Sequence, residues 1–369
     1  MSHVLFISHA RGVHGAEAVM VRAVKACAKR GVRVTVVVPS IVPDAGMDAA
    51  LREIHGVHIL PLPYRAAGRH WLRSILVQLY NIKTVRELMR YVNFQQVDAI
   101  YSSSSITILG CTLAYMTGIR HIWHWHEPVD PLFGWHPSMV KLYSELIRCA
   151  NPIVFISNKQ LREWSATLGC SIPNARVIYN PIKPIAAAAD QPKHQGVRIG
   201  FIGHFEERKN LGLLVHTFQQ LHQESPDTSL WLCGAVGETD RQYIERMTTL
   251  REPVLHILPQ TRDVASFYHQ IDILVLPSWS ETMPLVVLEA MQAGVCVLQT
   301  NQSGMDELLL HDSETLFFPP DQPEVLLRHL RRCMDPNERA QLAAAGQEKA
   351  IELVNNQSFD DQIYKLLCE

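Results

Sequence analysis

The stretch from Ile273 to Leu298 leaves a chain of this kind few folds to choose from. An apolar run, Ile273 to Leu276, stops at Pro277, and a polar segment, Ser278-Trp279-Ser280-Glu281-Thr282-Met283, follows it. Pro284 suits the first turn of a helix, where its missing N–H costs nothing. Val286, Val287, Ala290 and Met291 recur at helical spacing, Gly294 suits the position just past the helix end, and Val295 to Leu298 is apolar again. The pattern predicts strand, loop, helix, strand, the repeating unit of an α/β fold.

That order of elements has a chemistry. A loop that leaves a strand and opens a helix aims free backbone N–H groups, here expected from Leu285 and Val286, at one point. The helix dipole adds partial positive charge there, so the place suits a phosphate. Glu281 stands in the loop and Glu289 eight residues later in the helix. Beside a phosphate a carboxylate needs another partner, and hydroxyls of a sugar or ribose supply one, because an ionised carboxylate only accepts hydrogen bonds. Two surface glutamates, one of them near its helix start, are the plain alternative.

Val275-Leu276-Pro277-Ser278, Glu281, Pro284, Glu289-Ala290-Met291 and Gly294 together resemble the E-x7-E signature of the retaining, family-four (group 1) glycosyltransferases. The resemblance implies a GT-B fold, two Rossmann-like domains facing a deep cleft. It also implies a nucleotide-sugar donor, with Glu281 on the transferred sugar and Glu289 on the donor ribose.

The length of 369 residues fits two domains, and 47% apolar residues suffice for real cores. Eight cysteines without CxxC spacing point to a reducing compartment and away from a zinc or disulfide framework. The first apolar run is one short strand, so no signal peptide is expected. The uncharged stretch Ala99 to Met116, rich in Ser and Thr, reads as strand, loop and helix and not as a membrane span. A cytoplasmic protein is expected. The net charge of −2 hides an asymmetry: residues 1–180 carry 19 Lys+Arg against 10 Asp+Glu, and residues 181–369 carry 15 against 26. Balances of +9 and −11 leave open an anionic lipid, nucleic acid or acceptor on the first half, or an ordinary solvated face.

Along the chain, Val4–Ser8, a loop through His9 and Gly15, a helix from Glu17 and a strand Val32–Val38 form a Rossmann-like opening. The family shows Gly-Gly-Ala-Glu where this chain has His14-Gly15-Ala16-Glu17, so Gly15 is the expected backbone approach to the donor diphosphate. His9 and His14 read as loop histidines without a metal role. Val57–Leu60 is a third strand. Tyr64–Asn93 is a long helix with Trp71, Leu72, Ile75, Leu79, Ile82 and Leu88 as apolar members and Arg65, Arg69, Arg73, Lys83, Arg86 and Arg90 as a basic side. It either packs on its own sheet or lies on an anionic membrane surface, which would make the protein peripheral on the inner face of the cytoplasmic membrane.

Alternation in Arg120–Trp125 predicts a strand that delivers His126 to the mouth of the sheet. The resemblance, through His126-Glu127-Pro128, puts that histidine beside the donor sugar and the reacting carbon. A helix capped by Ser157 and a strand from Arg176 to Tyr179 end this half. Asn180 to Gly196 reads as a linker. The expected domains are 1–180, joined by a C-terminal helix within 355–369, and 181–354.

In the second half, a strand Val197–Ile202 leads into Gly203-His204-Phe205-Glu206-Glu207-Arg208-Lys209-Asn210 and then a helix. By resemblance Lys209 grips the diphosphate. His204 stands where the family has Arg, and Arg208 is placed to supply the missing charge. No D-x-D metal site is visible, so no metal or other cofactor is expected. The partners implied are a nucleotide sugar, with UDP favoured over GDP-mannose, and a glycan or lipid-linked acceptor in bacterial surface polysaccharide or lipopolysaccharide assembly, with no nucleic acid. A GT-B epimerase or phosphorylase, or a non-catalytic sugar-nucleotide binder, is the alternative.

Overall fold

The computed structural model describes residues 2–12, 15–66, 71–129, 139–185 and 195–369. His14, Arg69 and the alanines of the expected linker lie outside the described residues. The chain divides into two compact units, Met1–Pro181 with Ser358–Glu369, and Ile182–Gln357.

In the first unit the strands are β1 (His3–Ile7), β2 (Arg33–Pro39), β3 (Val57–Leu62), β4 (Ala99–Ser103), β5 (Arg120–His124), β6 (Ile153–Phe155) and β7 (Arg176–Val177). They pair in the order β3-β2-β1-β4-β5-β6-β7, all parallel. The helices between them are α1 (Ala16–Ala28), α2 (Met47–Arg52), α3 (Trp71–Tyr91), α4 (Leu109–Thr117), α5 (Met139–Leu146) and α6 (Asn158–Leu168). Val4, Phe6, Val34, Val36 and Val38 meet Val19, Met20, Ala23 and Val24 of α1 on one face of the sheet. Leu5, Ile7, Val37 and Ile100 meet Val85, Leu88, Leu109 and Leu113 on the other. A parallel sheet covered on both faces needs such unbroken apolar strands.

In the second unit β8 (Val197–Ile202), β9 (Thr228–Ala235), β10 (Leu255–Pro259), β11 (Ile273–Leu276), β12 (Cys296–Thr300) and β13 (Leu316–Phe318) pair as β10-β9-β8-β11-β12-β13. Its helices are α7 (Leu211–Glu224), α8 (Glu238–Glu245), α9 (Val264–Tyr268), α10 (Leu285–Gln292), α11 (Pro323–Met334) and α12 (Pro336–Asn355). The last helix, α13 (Phe359–Cys368), belongs to the first unit. Its Phe359, Ile363 and Leu367 enter the core beside α1, and Arg22 reaches Asp360 at 2.6 Å.

Each sheet has one place where the strand order reverses, between β1 and β4 and between β8 and β11. Loops at the carboxyl ends of the two strands diverge there and leave a crevice, which is where open α/β sheets take ligands.

Three local expectations need correction. Pro284 does not sit in the first turn of α10 but caps it in an extended conformation, with φ −73° and ψ 101°. The chain therefore turns sharply into Leu285. The other end is as expected: Gly294 has φ 79°, its N–H bonds the Met291 carbonyl and the Val295 N–H bonds the Ala290 carbonyl, a Schellman stop. The long helix begins at Trp71, not Tyr64, and of its expected apolar members Leu88 is buried whereas Leu72, Ile75 and Leu79 are exposed. The reason is that Asn81 and Thr84 occupy the inward face, hydrogen-bonded to the segment before the helix. Third, β7 ends at Val177.

Candidate functional site

The second unit's crevice is built by three loops. β8 ends at Ile202 and is followed by Gly203, and a Cβ on the neighbouring Gly234 would lie 1.9 Å from the Gly203 carbonyl oxygen. Only glycine lets these two strand ends touch. The loop then makes one 3-10 turn at Glu207–Lys209 and reverses at Asn210, whose φ is 52°. The Asn210 side chain donates to the Pro320 carbonyl at 2.9 Å and anchors that reversal. From the next strand, the Trp279 N–H donates to the Arg208 carbonyl at 2.9 Å. From the loop after β12, the Gln302 carbonyl accepts from the Glu281 N–H at 3.0 Å, and the Gly304 N–H donates to Thr282 at 2.9 Å. Thr300 Oγ1 donates to the Ser278 carbonyl at 2.8 Å.

This stitching brings Lys209 Nζ to 2.6 Å from Glu281 Oε1 and Arg208 Nη1 to 3.2 Å from the same oxygen. Arg208 also donates to the Ser280 carbonyl at 3.0 Å. All three side chains are largely shielded, with 12–14% of their surface exposed. Burial alone would push the Glu281 carboxyl up, but Lys209 and Arg208 outweigh it and hold it below the usual glutamate range. The result is a cationic pair that one internal carboxylate compensates only in part.

Leu285 and Val286 open α10 from the same loop, half-buried. The first N–H groups of a helix have no partner within it. One turn on, Glu289 Oε2 accepts from the Tyr268 hydroxyl at 3.0 Å. Burial raises the Glu289 carboxyl above its usual range, and Tyr268 and Lys183 offset this only in part. The two glutamates of the same stretch are thus tuned in opposite directions. His204 stands exposed on the β8 loop, two residues past the strand. Tyr268 and Gln302 were not among the expected residues, and no local signal marks them, since each comes from a different element.

Gly15 and His126 lie in the first unit, both at the carboxyl edge of its sheet. Gly15 precedes α1 with φ 51° and ψ −120°, a conformation that favours glycine. His126 is buried two residues beyond β5, its ring 4.2 Å from that of His124. Burial drives both imidazoles well below their usual pKa, so both are neutral at pH 7. Glu127 spends its carboxylate on hydrogen bonds to Ser105 and the backbone. Its Oε2 accepts from the Ser105 N–H at 2.8 Å, the Ser105 hydroxyl at 2.7 Å and the His126 N–H at 3.3 Å. It ties the end of β5 to the loop after β4. His9, expected as a bystander, pairs with Glu17 in the first turn of α1 at 3.2 Å. Among the described residues, no group of three or more His, Cys, Asp or Glu is arranged to hold a metal ion.

Two family models match the chain: Glycosyltransferase Family 4 over residues 13–184 and Glycosyl transferases group 1 over residues 196–336. An uncharacterized glycosyltransferase of Haemophilus influenzae is 25% identical over 329 residues, 88% of each chain. Anabaena HepE, solved in complex with UDP-glucose, superposes with a TM-score of 0.79 at 18% identity over 100% of this chain and 98% of its own. Sucrose-phosphate synthase of Thermosynechococcus elongatus superposes with a TM-score of 0.79 at 16% identity over 99% and 98%. At these identities the structures establish the fold, and the two models between them span most of the chain. With its two reversed-order parallel sheets and the E-x7-E stretch at the second switch point, the chain belongs to the group 1, family-four glycosyltransferases of GT-B fold.

Proposed function

We propose that the protein moves a sugar, with retention, from a UDP-sugar to a glycan or lipid-linked acceptor of a bacterial surface polysaccharide or lipopolysaccharide, at the inner face of the cytoplasmic membrane. The observation that carries this is the Lys209–Glu281–Arg208 cluster at the second switch point. A diphosphate competes with Glu281 for the two cations. As it takes them, the carboxylate is released to accept from hydroxyls of the sugar that the diphosphate carries. Donor binding and sugar recognition are then one exchange of partners, and Glu281 stays ionised throughout. Leu285 and Val286 offer N–H groups to the diphosphate, with His204 and Gly15 as further contacts, and Glu289, steadied by Tyr268, takes the ribose. The neutral His126 lies beside the reacting carbon, where it accepts or donates one hydrogen bond without adding charge. Front-face attack lets a departing phosphate oxygen take the acceptor's proton, so the protein's work is positioning and charge stabilisation.

The preference for UDP draws on the UDP-glucose complex of the HepE neighbour. The transfer uses no divalent ion, since Lys209, Arg208 and the helix start meet the phosphate charge. A thermal-shift series with UDP, GDP and ADP tests the donor: UDP raises the melting temperature most. A larger shift with GDP would reverse the base assignment. Transfer activity is unchanged by EDTA, and loss restored by Mg²⁺ or Mn²⁺ would refute metal independence.

A further inference from the structure

α3 is packed with its polar residues inward. Its buried stripe is Val77, Asn81, Thr84, Val85 and Leu88. Asn81 Oδ1 accepts from the Arg65 N–H at 3.1 Å and its Nδ2 donates to the Arg65 carbonyl at 3.0 Å. Thr84 Oγ1 donates to the Pro63 carbonyl. These bonds oppose rotation of the helix, because turning it would break them and take the Asn81 and Thr84 partners from the Arg65 and Pro63 backbone groups. The opposite face is therefore committed to solvent. It carries Leu72 at 59% exposure, Ile75 at 41%, Leu76 at 66% and Leu79 at 58%. At about 100° per residue, Lys83, Arg86 and Arg90 fall on that same face one to three turns further on, and all three are exposed. One outward face is thus apolar over its first two turns and cationic over its last two.

The orientation of α3 in the fold gives this gradient a direction. α3 follows β3, so it starts at the carboxyl edge of the first sheet, and it ends near the amino edge where β4 begins. The leucines lie toward the edge that carries His9, Gly15 and His126, and the cations lie away from it. A soluble partner matching this face would need an apolar groove continuous with an acidic one. A bilayer with anionic lipid offers both, hydrocarbon below and phosphate at its surface. Among the described residues no helix is long and apolar enough to cross a membrane, so contact of this kind lies in the interface.

We propose that α3 is an obliquely inserting membrane anchor: Leu72, Ile75, Leu76 and Leu79 enter the acyl boundary, and Lys83, Arg86 and Arg90 bind anionic headgroups. This rests on the reading of a membrane-borne acceptor and specifies the surface that meets the membrane. The carboxyl edge of the first unit is then held at the bilayer, where a lipid-linked acceptor emerges.

Co-sedimentation of the full chain with neutral phosphatidylcholine vesicles and with vesicles containing phosphatidylglycerol tests it, at low and high salt. The wild-type chain should pellet with the anionic vesicles. Leu76→Ser/Leu79→Ser, two exposed positions whose change leaves the core intact, should bind more than tenfold more weakly at either salt. Lys83→Gln/Arg86→Gln/Arg90→Gln should bind at least tenfold more weakly at low salt and approach wild type at high salt. The UDP-induced thermal shift should be the same in all three proteins. No vesicle binding by the wild type overturns the membrane proposal and leaves the donor reading standing. Full binding by the serine variant overturns the α3 assignment while membrane association stands. A wild-type dimer that the serine variant converts to monomer assigns the face to a second copy instead and also overturns it. Loss of the UDP shift in the wild type strikes the donor reading alone.

Discussion

The carboxyl edges of the two sheets have the same topology and opposite electrostatics. In the second unit the loops after β8 and β11 bring together two cations and a carboxylate, and the carboxylate stays ionised against its own burial. In the first unit the last residue of β5, His124, and His126 of the loop after it are imidazoles that burial keeps neutral, and the loop's carboxylate, Glu127, is consumed in holding backbone. At one edge burial is overcome by charged partners, and at the other it keeps the ring nitrogens uncharged. The strand order creates the crevice in both. The side chains at the first turns beyond the strands decide what enters it.

The sharpest way to break this comparison is Glu281→Ala. Turnover should fall by roughly a hundredfold or more, the scale of losing one preorganised transition-state contact. Bare UDP should bind as well or more tightly, because its internal competitor is gone. Steady-state kinetics and calorimetry check both, and a parallel loss of UDP affinity would mean that Glu281 acts as scaffold for Lys209 instead.

Lys209→Ala should weaken UDP binding by about 1.5–3 kcal/mol, the scale of a charge-assisted hydrogen bond. Unchanged calorimetric affinity would remove the diphosphate from this loop.

Glu127 of the first unit should respond in stability and not in donor binding. Glu127→Gln leaves three donors facing an amide and should cost about 1–3 kcal/mol in urea unfolding. Burial pushes the Glu127 carboxyl up, but the His9 and His126 rings and the Ser104 and Ser105 donors more than offset it, so its folded pKa lies below the usual 4.5. The sign follows: the stabilisation is complete above about pH 4.5 and is lost as pH falls through the depressed folded value. The gap between wild type and variant should therefore close only in stronger acid. A gap already closed at pH 5, or a changed UDP affinity, would contradict a purely structural role for Glu127.

The smallest effect separates the two glutamates of α10 and its loop. Glu289 has a raised pKa and Glu281 a lowered one. As pH falls toward the ordinary glutamate range, Glu289 protonates first and stops accepting from the ribose. Uridine nucleotide affinity should drop less than tenfold there, and the part due to Glu289 should vanish in Glu289→Gln. Identical pH curves for wild type and variant would detach Glu289 from the ribose.

Much of the fold was legible because parallel strands and their helices have short-range signatures. The runs Ile273–Leu276 and Val295–Leu298 became β11 and β12, and Ser157 caps α6 through the Gln160 N–H. The family could be read from the E-x7-E stretch, whose spacing is a property of one loop and one helix. Where local patterning failed, a distant partner had the deciding interaction. Hydrophobic periodicity turned α3 the wrong way because Asn81 and Thr84 have partners at residues 63–65 that outrank the burial of leucines. The bond of Glu127 to Ser105 has no local signature either, because the two residues come from different loops.

By itself the sequence determined the alternation of strands and helices, the reversal loops that glycine permits, and the residue types available at each strand end. Those are matters of backbone preference and local spacing. Only the tertiary structure decided which of them meet. Lys209 and Glu281 are 72 residues apart and share a hydrogen bond only because β8 and β11 are neighbours at a switch point. Whether a glutamate is held ionised by cations, like Glu281, raised by burial beside a tyrosine, like Glu289, or spent on backbone, like Glu127, depends on desolvation and on partners brought from elsewhere in the chain.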